Sequence, residues 1–121
     1  MEIENTVASG WAAVTGANYT DDATLYRALT GEIIPQSTKL INTAKGVVPG
    51  ETDLQAIHNV YIRAVETQHQ AFLIIKAAIQ TQNIERMSSG YATLDESKDI
   101  MEEYTGRLNF YAEENNVKIG N

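Results

Sequence analysis

Apolar residues recur along most of this 121-residue chain at steps of three and four, the spacing of one face of an α-helix. The clearest stretch follows the turn signal Pro49-Gly50. Leu54, Ile57, Tyr61, Ala64, Gln68, Ala71, Ile75 and Ala78 alternate those steps, and Val65, Phe72 and Ile79 widen the stripe on one flank. Neither proline nor glycine interrupts Asp53 to Gln82. The pattern predicts a helix over 53–82, opened by a Thr52/Gln55 capping box.

Upstream, Thr20 reads as an N-cap, with Asp21 and Asp22 in the first turn where the helix dipole favours acids. Leu25, Leu29, Ile33, Leu40 and Ala44 then repeat at helical spacing up to the stop signal Lys45-Gly46. Pro35 interrupts this run, because it lacks an N–H and its ring presses on the carbonyl of Gly31. The periodicity continues past it, which favours one kinked helix over 21–45.

In the last segment Ile84, Met87, Tyr91, Leu94, Met101, Tyr104, Leu108 and Tyr111 form the stripe, with Ile100 and Phe110 adjacent. It predicts a helix over 84–115 with a soft spot at Ser88-Ser89-Gly90, where Thr93 and Glu96 match a second capping box. Ahead of everything, Ile3, Val7, Trp11 and Val14 predict a shorter helix over 3–15 that Gly16-Ala17-Asn18 would end. Short links force long helices to lie beside their neighbours. The expected fold is therefore all-α: a single-domain antiparallel up-down bundle of three long helices plus a shorter N-terminal one.

Composition narrows the partners. Sixteen acids against nine bases leave a net charge of −7, and residues 95–114 alone carry −5 of it. Nucleic acid and anionic membrane both demand a basic face, so neither is expected to bind. The longest apolar run, from Ala71 to Ile75, is far too short to span a bilayer. Cysteine is absent, which removes disulfides, thiolate metal sites and cysteine nucleophiles. The first residues have neither a basic n-region nor an apolar h-region. Asn18-Tyr19-Thr20 matches a glycosylation sequon, a three-residue pattern of little specificity.

Candidate chemistry is sparse. Glu66 and His69 form one Glu-x-x-His, half of a di-iron carboxylate signature. The other half is missing: His58 is preceded by Gln55 and lies about 16 Å from His69 along the same helix. A metal enzyme built on Glu66 and His69 is thus the least favoured reading. Serine-hydrolase and phosphate-loop patterns do not occur, and nothing in the sequence calls for a cofactor. His58 and His69 flank the apolar stripe, where half-buried histidines bonded to a neighbouring helix are expected. Gln68 falls in the seam itself, a position where one polar residue sets register or partner choice. With Tyr61 and Tyr104, these residues could line an interhelical pocket, which makes a small-ligand sensor the alternative function. For interactions, Trp11 marks a candidate apolar patch, and Asp99, Glu102 and Glu103 mark the acidic face of the last helix.

The run of Ile33-Ile34-Pro35, Leu40-Ile41, Val48-Pro49, Ile57-His58, Tyr61 and Phe72 resembles small helical domains of uncharacterised, lipoprotein-like bacterial envelope proteins. The likeness covers roughly residues 20–115 and rests on helix–turn punctuation plus Ile-His-x-x-Tyr. It implies an extracytoplasmic location with a signal or anchor ahead of residue 1, a cytoplasmic location being the alternative, and it carries over no functional residue. The leading expectation is a non-catalytic bundle acting through a protein partner or self-association.

Overall fold

The computed structural model describes residues 2–115, with side chains from residue 5 onward. The side chain of Ile3, and Asn116 at the expected end of the last helix, lie outside the described residues. Among the described residues the chain is all-helical, with no strand. The elements are α1 (Glu2–Ala12), a 3₁₀ turn (Gly16–Asn18), α2 (Asp22–Ala28), a π turn (Leu29–Ile33), α3 (Ile34–Gly46), α4 (Thr52–Thr81) and α5 (Ile84–Glu114).

Helix α1 stops at Ala12, short of the expected residue 15. Its terminal carbonyls find side-chain partners instead: Thr15 Oγ1 donates to the Trp11 carbonyl (2.7 Å) and Asn18 Nδ2 to that of Ala12 (3.0 Å). Gly16 then turns the chain at φ +60°, a conformation that favours glycine. The cap of α2 is Asp21 rather than Thr20, its carboxylate accepting the Thr24 N–H at 2.7 Å.

From Asp22 to Gly46 the helix is continuous, the backbone staying right-handed through Ala28, Leu29, Ile33 and Ile34. Pro35 neither breaks it nor acts alone. The Ile34 N–H bonds to the Leu29 carbonyl five residues back, a π turn one position ahead of the proline. Thr30 Oγ1 donates to the Tyr26 carbonyl at 3.0 Å, within the turns that the widening disturbs. The buried residues explain the need. Leu25, Leu29, Ile33 and Ser37 advance by three consecutive steps of four, which overshoot a 3.6-residue turn each time. One wide turn resets the face.

Helix α4 carries no capping box. Its N-cap is Glu51, and Gln55 Nε2 donates to the Pro49 carbonyl (2.8 Å) in the preceding loop. The predicted stripe is realised: Ile57, Tyr61, Ala64, Ala71, Ile75 and Ala78 are buried, as are Val65 and Phe72. Gln82 closes α4 in the left-handed region (φ 50°), with the Asn83 N–H returning to the Ala78 carbonyl (3.0 Å). Asn83 then caps α5 by accepting the Arg86 N–H (3.0 Å).

Two apolar clusters fill the interior. The first joins Val7, Leu25, Leu29, Ile33, Phe72, Ile75 and Leu94, with Trp11 and Met87 packed on it. The second joins Leu40, Ala44, Tyr61 and Val65, with Met101 and Tyr104 against it. Burying each large side chain contributes about 1.5–3 kcal/mol, so these clusters hold the helices together.

Helix α5 runs unbroken through Gly90, and its buried face departs from the predicted one at Ile84 and Tyr91. Ile84 is 83% exposed and Tyr91 42%, whereas the expected Leu94 is buried together with Gly90, Ser97 and Ala112. Small residues let α5 approach α4: a Cβ at Gly90 would lie 2.5 Å from Ile75 Cγ1. The Ser97 hydroxyl donates to the Leu94 carbonyl (2.6 Å), so it enters the core without an unpaired polar atom.

Candidate functional site

At the loop end of α3 and α4, His58 Nε2–H donates to the Ala44 carbonyl at 2.7 Å. That carbonyl belongs to the last turn of α3, where intrahelical donors run out, so His58 caps a neighbouring helix. The bond places the proton of the neutral ring on Nε2. The His58 ring stacks 6.1 Å from Tyr61, and Tyr61 meets Tyr104 at 5.0 Å with the rings tilted by 57°. The rings thus pack on one another instead of framing a chamber. The two hollows that touch His58 measure about 170 Å³ each, below the roughly 300 Å³ that a small-molecule site needs.

His69 stands apart from this cluster. Its Nδ1 lies 3.0 Å from the Oγ of Ser37, a fully buried serine on α3, and burial pushes the histidine's pKa down from 6.5. Gln68, beside it, is half-buried in the stripe between Ala64 and Ala71. Glu66 is engaged across the same interface, its Oε2 2.9 Å from Lys45 Nζ. Among the described residues no three His, Cys, Asp or Glu side chains converge in a way that could hold a metal ion. The sequence grouping of His58, Tyr61, Gln68, His69 and Tyr104 therefore divides into an aromatic cap and a separate pair of half-buried His69 with buried Ser37.

Trp11 is not an open patch. It is half-buried, with its ring 5.2 Å from Phe72 and 6.0 Å from Tyr91. On α5, Asp99 and Glu102 are exposed, and Glu103 pairs with Arg107 at 2.9 Å.

A larger concavity lies elsewhere. A groove of about 680 Å³ runs between the start of α4 and the end of α5, formed by Asp53, Ala56, Ile57, Arg107, Phe110 and Glu114 among others. Its floor is apolar and its edges are charged. Phe110 is 63% exposed there, a large apolar side chain left in water. Tyr111 closes one end by donating its hydroxyl to Glu51, a bond that raises the phenol's pKa. Arg107 is neutralised by Glu103, so Asp53 and Glu114 leave the groove acidic. Sequence reading placed Phe110 only as a neighbour of the stripe; the signal was that Leu108 and Tyr111 complete the heptad without it.

No helix among the described residues is long and apolar enough to cross a membrane. Compared with known proteins, the chain matches no family model, no curated sequence and no solved structure.

Proposed function

We propose that this chain is a non-catalytic helical interaction module, an antiparallel up-down bundle that binds a protein partner through the groove between α4 and α5. The antiparallel order is supported by paired residues whose numbers fall on one helix as they rise on the next. Tyr26 meets Gln80, Ser37 meets His69 and Ala44 meets His58; Ile75 then packs at Gly90, Tyr61 at Tyr104 and Glu51 at Tyr111. An extracytoplasmic location in a bacterium belongs to the same proposal and rests on the resemblance in the stretch from Ile33 to Phe72.

The observation that carries the reading is Phe110, exposed in a groove with acidic edges on the most acidic helix. Apolar floor and negative rim complement a segment with one large apolar anchor flanked by Lys or Arg. Aromatic residues at such sites carry a large share of binding energy. Self-association through this face is disfavoured, because two copies would bring like charges together.

The test is an NMR titration with a short helical peptide of leucine and lysine, and with its leucine–glutamate counterpart. The basic peptide is expected to shift the amides around Asp53, Ala56, Gly106 and Phe110. Phe110→Ala should weaken binding about tenfold or more. Equal binding of both peptides, or shifts confined to another face, would overturn the proposal.

A further inference from the structure

At the opposite end of α5 a second hollow of about 370 Å³ opens among Gly16, Tyr19, Asp22, Leu25, Met87 and Tyr91. Its chemistry differs from that of the groove. Two phenol rings, 46% and 42% exposed, share the hollow with the apolar side chains of Leu25 and Met87 and with one carboxylate, that of Asp22. The left-handed Gly16 and the 3₁₀ turn carry the chain to Tyr19, whose hydroxyl donates to Asp22 Oδ1 at 2.5 Å. Trp11 packs against Tyr91, the rings 6.0 Å apart and tilted by 54°. No lysine or arginine among the described residues lines the hollow, and the nearby Arg27 is turned to Thr24 (3.4 Å). The negative field is felt by both rings. The bond to Asp22 raises the Tyr19 pKa, and burial, with the Asp22 charge second, raises that of Tyr91.

Two phenol rings and a carboxylate lining one solvent-open hollow suit one class of ligand. A cation with an apolar skin meets the π-faces, while its charge is balanced by the acid. We propose that the Tyr19–Asp22–Tyr91 hollow binds an alkylammonium cation, either a free quaternary amine or the side chain of a lysine. This site shares no residue with the groove between α4 and α5 and stands whether or not that groove binds protein.

The experiment uses choline, with dimethylbutanol as its uncharged carbon isostere, and Nα-acetyl-lysine amide for the lysine source. Trp11 fluorescence and the NMR signals of Tyr19 and Tyr91 report occupancy. Choline, the lysine derivative or both should bind saturably, and which of them does identifies the source. Dimethylbutanol should bind at least about tenfold more weakly than the better cation. Tyr91→Phe keeps the π-face and should retain binding, whereas Tyr91→Ala and Asp22→Asn should each lose about two- to fivefold. Both positions are on the surface, and circular dichroism verifies that each variant folds. The proposal is overturned if neither cation saturates, if the isostere binds as tightly, or if Asp22→Asn leaves affinity unchanged.

Discussion

Gly90 marks the closest approach of α5 to α4. A methyl group there would meet Ile75 Cγ1 at 2.5 Å and the Ile75 backbone nitrogen at 3.3 Å, and Ile75 is fully buried. Gly90→Ala should therefore destabilise the protein by about 1–3 kcal/mol through overpacking, despite the better helix propensity of alanine. Gly106, on the same helix, has nothing within 4 Å of an added Cβ. Gly106→Ala should instead stabilise by about 0.5–1 kcal/mol. Urea denaturation of the two variants reads both signs. The pair also shows what apolar periodicity misses: Gly90, Ser97 and Ser37 occupy core positions without being greasy. A stripe drawn on large side chains alone passes over these three and includes Ile84 and Tyr91, which are exposed. Gly90 and Ser97, seven residues apart on α5 and flanking Leu94, were the overlooked signal.

At the scale of elements, most helices were legible because long stripes of Leu, Ile and Val have no other way to leave water. The joints were less so. The π turn was hidden behind Pro35, though the run of four-residue steps from Leu25 to Ser37 announces it. The α4–α5 turn places Gln82 in the left-handed region without a glycine to mark it. Gln82→Gly should relieve that strain and raise stability by about 0.5–1 kcal/mol, measured by thermal unfolding. The α3–α4 interface carries a pH dependence. Burial lowers the His69 pKa below 6.5, so the unfolded chain binds a proton there before the folded one does. Stability is full above pH 6.5 and declines as the pH falls through that value toward the folded pKa. His69→Gln should flatten this part of the profile. Asp21 acts lower: the Thr24 N–H holds its pKa below 3.8, so its contribution fades as acid titrates it beneath that value. Unfolding midpoints across pH separate the two.

For the whole molecule, the legible part was the fold class and the acidic terminal helix; the groove was not legible. Its walls come from residues more than fifty positions apart, Asp53 with Ala56 on α4 and Phe110 with Glu114 on α5. No local pattern reports such a pairing, and it follows only once the helices are laid side by side. The same holds for the Tyr19–Asp22–Tyr91 hollow, assembled from a turn and a distant helix. Between them, the half-buried histidines of α4 bond across to α3, His58 to the Ala44 carbonyl and His69 to Ser37.

The most direct measurement of this account is photocrosslinking in the cells that make the protein, with benzophenylalanine at position 110 and, separately, at position 92. Ala92 is exposed on the same face of α5, about 27 Å away along the axis. The account predicts a discrete protein adduct at position 110 that is absent at 92, mapping to a basic segment of the captured partner. Equal labelling at the two positions, or none at 110, would contradict it.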